Sequence, residues 1–169
     1  MDQRDEQEFA EYFARRRDAV RRTAYMLCGD WHRADDLAQT AFVAVHRRWR
    51  KIRDRAAVDA YVRKTLVRAA IDESRRPWRR EQYVETLPEA APSEEGLDER
   101  VATRETLLTA LAEVPPRQRA VLVLRYLEGL DVRAAAKALG CTEGTVKSQT
   151  ARGLVALRTV LGEEVNVHG

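Results

Sequence analysis

The chain has 169 residues, an apolar fraction of 44 % and 34 % charged residues, with 30 Lys+Arg against 27 Asp+Glu. That is enough to build one medium or two small packed cores without disulfides. No apolar stretch approaches the roughly 20 residues a membrane span needs, and the polar start Met1-Asp2-Gln3-Arg4-Asp5-Glu6 does not read as a signal peptide.

In chain order the pattern is helical almost throughout. A first helix is predicted over about 6–27, where Phe9, Tyr12, Phe13, Val20, Ala24 and Leu27 recur at three- and four-residue steps. Gly29 ends it and Asp30 can cap the next. The second helix carries Leu37, Ala38, Ala41, Phe42, Val45 and Trp49 on one stripe. The third runs over about 57–75 with Val58, Tyr61, Val62, Leu66 and Ala69 inward, and Pro77 stops it. Residues 47–80 hold 13 Lys/Arg against 4 Asp/Glu, whereas residues 81–100 hold 7 acids and 1 Arg. A basic block followed by an acidic one suggests a polyanion-binding face and then a solvated spacer, although a charge run can also be only a wet helix face. Pro88, Pro92, Ser93 and Gly96 interrupt the acidic stretch, which reads as a flexible linker. Four further helices follow, at about 98–113, 116–127, 131–139 and 142–161, separated by Pro115-Pro116, Gly129 and Gly140. The fold class is therefore all-α: a helical domain at 1–78, an acidic linker at 79–98 and a second helical domain at 99–169.

Residues 131–152 carry the most specific signal. Asp131 is a suitable N-cap for a short Ala-rich helix. Ala135 permits close approach of a second helix, Leu139 is expected to be the buried anchor, and Gly140 can take the left-handed conformation that ends the helix. Thr142 can cap the helix after the turn, so the segment has helix-turn-helix form. At about 100° per residue, Val146, Thr150, Leu154, Leu157 and Leu161 gather on one side. Gly144, Thr145, Ser148, Ala151 and Arg152 face the other way, with Lys147 and Gln149 on the flanks. Small residues allow close groove approach, Ser, Thr and Gln can meet base edges, and Lys and Arg can meet phosphate or guanine. A polar-faced helical hairpin has the same pattern, so by itself this segment leaves DNA binding open.

Cys28 and Cys141 have no Cys-x-x-Cys partner, and His32, His46 and His168 lack metal-ligand spacing with them. No metal, cofactor or disulfide is expected, and two thiols fit a cytoplasmic protein. Asp35 and Asp36 would be catalytic carboxylates only with a metal or a partner base, and the sequence has no Gly-rich phosphate loop or nucleophile–base pair. An enzyme, such as a small helical nucleic-acid hydrolase, is disfavoured. A response regulator or repressor uses a similar C-terminal module but usually adds an α/β receiver or a ligand domain, which the helical N-terminal half does not resemble.

Two separate segments resemble one family. Leu111-Ala-Glu-Val-Pro115-Pro-Arg-Gln-Arg119-Ala-Val-Leu-Val-Leu124-Arg-Tyr126 and the helix-turn-helix from Leu139 to Ser148 resemble region 4 of bacterial sigma factors. Ala34-Asp35-Asp36-Leu37-Ala38-Gln39-Thr40-Ala41-Phe42 resembles sigma region 2.2, and Tyr61-Val62-Arg63-Lys64 through Asp72-Glu73-Ser74-Arg75-Arg76 resembles region 2.4. Their order and spacing are similar to extracytoplasmic-function (ECF) sigma factors of an actinobacterial subgroup. The resemblance implies a factor that joins core RNA polymerase, at the β′ clamp helices and the β flap, and directs it to promoter DNA with −35 and −10 elements. Carried over by position, Asp35, Asp36, Gln39 and Thr40 would meet polymerase. Lys51, Arg53, Arg55, Arg63, Lys64 and Arg68 would meet the −10 element, and Thr145, Lys147, Ser148, Gln149 and Arg152 the −35 element. Trp49, Tyr61 and Trp78 are aromatic residues near the basic block, but Trp49 and Tyr61 are expected in the core. The family usually carries Asn where this chain has Arg68, which trades a base-reading amide for charge and longer reach. The free protein is expected to be a monomer, and any anti-sigma factor would act in trans.

Overall fold

The computed structural model describes residues 2–75 and 99–168. The linker expected at 79–98, together with Pro77 and Trp78, lies outside the described residues. All regular structure among the described residues is helical, as the periodicity predicts.

Helix α1 spans Gln3–Cys28. It opens on Asp2, whose carboxylate accepts the Asp5 N–H, and closes on Gly29, where φ is 77° and the N–H donates to the Tyr25 carbonyl. The left-handed conformation there carries no penalty for glycine. Helix α2, Trp31–Arg47, starts at once because the Asp30 side chain accepts the N–H groups of His32 and Arg33. Helix α3, Ala56–Ser74, follows a loop at 48–55. These three helices enclose Tyr12, Val20, Ala24, Leu37, Ala41, Phe42, Val45, Val58, Val62 and Leu66. Trp49 belongs to the turn after α2 rather than to its stripe, yet it is only 2 % exposed. Phe9 and Tyr12 meet it with centroid separations of 5.4 and 5.7 Å. Burial of an aromatic of this size fastens the turn to the bundle.

The C-terminal half consists of α4 (Glu99–Ala112), α5 (Pro116–Leu122), α6 (Val132–Leu139) and α7 (Glu143–His168). The helix expected over 116–127 is α-helical only as far as Leu122. From Val123 to Leu127 it widens to a π-helical turn, with the Glu128 N–H reaching back to the Val123 carbonyl at 2.9 Å. Helix α7 runs seven residues past the predicted 161.

Two corrections concern packing. Leu139 is half-buried, and the anchors of α6 are Ala135, Ala136 and Ala138. Small side chains bring the α6 backbone against its neighbours, which leaves Leu139 at the rim. In α3, Leu66 and Val67 are both buried although they lie about 100° apart. The reason is that α3 packs against α1 and α2 and also against α5 and α6. One apolar cluster consequently runs through both halves and includes Val121, Val123, Leu124, Ala135 and Val146. A smaller cluster joins Leu111, Val114 and Leu122 to Leu107, Leu154 and Leu157.

Candidate functional site

The helix-turn-helix is built as its residue types dictate. The Asp131 carboxylate accepts the Ala134 N–H at 2.8 Å, and Gly140 turns the chain at φ 67°. The Cys141 N–H closes on the Ala136 carbonyl at 3.1 Å, and the Thr142 hydroxyl accepts the Thr145 N–H at 3.1 Å. Val146, fully buried, fastens α7 to the module. Gly153 is also buried, and a Cβ there would lie 3.1 Å from Leu122 Cγ. This close crossing of α5 and α7 was not anticipated from the sequence, although a glycine inside an amphipathic helix is the signal for it. The outcome is an α7 whose first turns stand clear of the body. Lys147, Ser148 and Arg152 are exposed there, beside the small exposed residues Gly144 and Ala151. Thr145 and Gln149 are half-buried instead, and line a cavity of about 140 Å³ with Arg68 and Asp72.

The basic block divides in a way that spacing alone does not reveal. Lys51 and Arg53 are exposed in the loop between α2 and α3. Arg55 is committed to that loop: Nη1 donates to the carbonyls of Trp49 and Ile52, both at 2.9 Å, and Nη2 donates to Glu8 at 2.8 Å. Its guanidinium also lies 3.9 Å from the centroid of the Trp49 ring. On α3, Arg63 pairs with Glu128 at 3.9 Å, Lys64 is half-buried, and Arg68 reaches the Gly140 turn.

The third set shares one exposed face. Asp35, Asp36, Gln39 and Thr40 fall one, three and one residues apart on α2, and all four are exposed. Asp35 accepts from Arg21 at 2.5 Å, and Arg21 lies over the Trp31 ring, which stacks on Tyr25 with centroids 4.0 Å apart. Asp35 and Gln39 edge a groove of about 790 Å³ between α1 and α2, floored by Phe9 and Phe42. Phe13 and Val43 stand exposed at its rim. A groove with an apolar floor and polar edges suits a partner's helix. Sequence reasoning placed Phe13 in the core, because its step in α1 matches the buried stripe.

Two buried groups shift from their ordinary ionisation ranges. Burial, reinforced by the Asp59 carboxylate that accepts its hydrogen bond at 2.7 Å, pushes the Tyr12 hydroxyl well above the usual tyrosine range. Burial likewise raises the Cys28 thiol.

Residues 12–80 match Sigma-70 region 2, and residues 104–157 match Sigma-70, region 4. The chain is 38 % identical over 157 residues to the RNA polymerase sigma-E factor of Streptomyces coelicolor, covering 91 % of this chain and 86 % of that one. The chain belongs to the sigma-70 family of RNA polymerase sigma factors. Its similarity to the ECF RNA polymerase sigma factor SigM of Mycobacterium tuberculosis, 31 % over 161 residues with 94 % and 79 % covered, places it in the ECF group. The sigma factor shares its fold with two solved relatives. One is the sigma factor RpoE bound to the anti-sigma factor NepR from Bartonella quintana, with TM-score 0.66, 19 % identity, and 92 % of this chain and 98 % of that one covered. The other is CnrH bound to the cytosolic domain of CnrY, with TM-score 0.63, 21 % identity, and 94 % and 90 % covered. As a sigma factor it binds core RNA polymerase and directs promoter-specific initiation. Among the described residues no helix is long and apolar enough to cross a membrane.

Proposed function

We propose that this sigma factor acts as a two-point promoter clamp carried by polymerase, with its contacts divided among the three faces described above. In this reading Lys147, Ser148 and Arg152 enter the major groove of the −35 element, with Thr145 and Gln149 beside them. The carrying observation is the exposure of Lys147, Ser148 and Arg152 on the first turns of a helix held forward by a capped turn. Cations there meet phosphate or guanine, and the Ser hydroxyl can meet a base edge.

Lys51 and Arg53 stand on the loop that would take an unpaired −10 base, with Arg55 bracing that loop through the Trp49 and Ile52 carbonyls. Arg63, Lys64 and Arg68 follow along α3. Opening a duplex costs stacking and pairing energy, and a pocket with cations along the separated strand offsets it. Asp35, Asp36, Gln39 and Thr40 would meet the β′ clamp helices, with the α1–α2 groove and its rim residues Phe13 and Val43 extending that surface.

The protein supplies no catalysis in this reading; polymerase performs the chemistry, and no cofactor or metal takes part. It acts in the cytoplasm, as a monomer until it meets core enzyme. One solved structure of similar fold, RpoE of Bartonella quintana, is bound to the anti-sigma factor NepR, which supports control in trans by a protein of that kind. Transcription in vitro with purified core polymerase on a promoter library tests the whole reading. The expected result is initiation from a restricted set sharing one −35 and one −10 motif. Initiation equal to that of core enzyme alone would overturn it.

A further inference from the structure

The loop at 48–55 is closed on itself and seated on the first turns of α1. Its near end folds back on α2, where the Lys51 and Ile52 N–H groups donate to the Arg48 carbonyl at 2.9 and 3.1 Å. Its far end is capped by Asp54, whose carboxylate accepts the Ala56 N–H at 3.0 Å as α3 begins. Arg55 joins the two ends, because a single guanidinium nitrogen, Nη1, donates to the carbonyls of both Trp49 and Ile52. The seat comes from α1. Phe9 and Tyr12 hold the Trp49 ring, Asp5 pairs with Arg50 at 3.4 Å, and Glu8 accepts from Arg55 Nη2. Asp5 and Glu8 are three residues apart and so share a face of the helix. Lys51 and Arg53 stand exposed on the loop so formed.

The four contacts of Arg55 act differently. Two carbonyl bonds and the Trp49 ring contact shape the loop, since all three partners belong to it. Of the four, the bond to Glu8 is the one that reaches α1 and meets a full charge. The Arg55 and Glu8 side chains are 41 % and 40 % exposed, so their pairing adds little to the stability of the fold. Its use lies in competition. A half-exposed guanidinium beside a single strand is drawn to phosphate, and would leave the loop carbonyls as nucleic acid arrives. A carboxylate already at 2.8 Å opposes that departure, and the loop keeps its shape while Lys51 and Arg53 meet the strand.

We propose that Glu8 is a positioning residue for recognition of the unpaired −10 base, retaining Arg55 as the bracket of the loop against the pull of the DNA. The inference rests on the reading of this loop as the place that takes that base. Arg55 then acts on the loop's own carbonyls rather than on phosphate. The start of α1 becomes part of the −10 apparatus without touching nucleic acid itself.

The test uses holoenzyme assembled from core polymerase and the full chain. Initiation is measured on four templates that differ only at the −10 position whose base matters most to wild type. The readout is the ratio of the best template to the worst, because a merely structural loss lowers all four alike and leaves that ratio standing. Glu8→Ala should reduce the ratio about threefold, the scale of a half-exposed ion pair, while holoenzyme affinity for a −35 duplex stays unchanged. Glu6→Ala, at an exposed position two residues away on α1, should keep the wild-type ratio. Because Glu8 acts through Arg55, the double variant Glu8→Ala, Arg55→Ala should match Arg55→Ala alone. Should Glu8→Ala fail to fold by circular dichroism, Glu8→Gln takes its place, with a fall in the same ratio expected. An unchanged ratio in the folded variant, a uniform fall on all four templates, or a double variant worse than Arg55→Ala by the full Glu8 factor would each overturn the role of Glu8. Wild-type initiation indifferent to the base at every −10 position would instead overturn the assignment of the loop. The two failures are therefore distinct.

Discussion

At the scale of single residues, the N-terminal bundle is fastened by a buried tyrosine whose hydroxyl reaches a carboxylate at the bundle's edge. The Tyr12 ring is 6 % exposed and its hydroxyl donates to Asp59, which also faces Arg16 at 3.3 Å. Tyr12→Phe keeps the ring and removes the hydrogen bond, so it should destabilise the fold by about 1 kcal/mol near neutral pH. The alkaline behaviour follows from the sign of the shift. Because the folded hydroxyl ionises above the ordinary value of about 10, the folded state holds this proton more tightly than the unfolded chain. That contribution is complete below pH ~10 and is lost as pH rises past it. Melting curves between pH 9 and 11.5 should thus fall more steeply for wild type than for Tyr12→Phe, and parallel curves would refute this role. The two thiols differ in the same spirit. Cys28 is buried with its ionisation pushed up and donates to the Asp30 carbonyl, whereas Cys141 is half-buried at the helix-turn-helix turn. A thiol reagent at pH 8 should label Cys141 first by at least about tenfold in rate, since thiolate and access both limit Cys28; mass spectrometry of the labelled peptides decides it.

Elements are set by caps, small residues and breadth of burial. Gly153 lets α7 cross α5 at Leu122, and two effects compete when it is replaced. Alanine gains about 0.5–1 kcal/mol of helix propensity, while its Cβ would press a Leu122 that is 3 % exposed. Gly153→Ala should therefore be close to neutral, and Gly153→Val should lose about 1–3 kcal/mol through overpacking. Urea unfolding of the pair checks this, and equal stability would mean that the crossing is looser than the contact implies. How far such features can be read from sequence depends on their range. Asp30, Asp131, Gly140 and Thr142 act within one turn of themselves, and their caps form where the residue types predict them. Leu139 was misplaced because burial depends on what arrives from elsewhere, and Trp49 is buried as expected but from the turn after α2 rather than from its stripe. Small alanines draw α6 in and leave Leu139 at the edge, while aromatic neighbours on α1 capture Trp49 after α2 has ended. The exposed acidic and polar set on α2 was legible, since a four-residue step determines a shared face. The engagement of Arg55 by two carbonyls, a carboxylate and a ring was not, because a sequence displays its charge but not its partners.

For the whole molecule, modest individual contacts gain force through linkage. Once core enzyme holds one half, the other meets its element at an effective concentration set by geometry, so neither surface needs high affinity alone. The division of labour among faces can then be tested by combining changes on two of them. Arg152→Ala, at the exposed start of α7, should weaken holoenzyme binding to the −35 duplex about tenfold and reduce the salt dependence by about one ion. Gln39→Ala, on the exposed face of α2, should weaken core-enzyme binding about fivefold and leave duplex affinity unchanged once core is saturating. Because the two residues lie on different elements with no partner in common, the double variant should show the sum of the two free-energy losses when initiation is measured at limiting core. Pull-down on core enzyme, duplex binding and initiation separate the three terms. A double variant no worse than Arg152→Ala at limiting core would mean that Gln39 makes no contact with polymerase, and the α2 face would have to be assigned another partner.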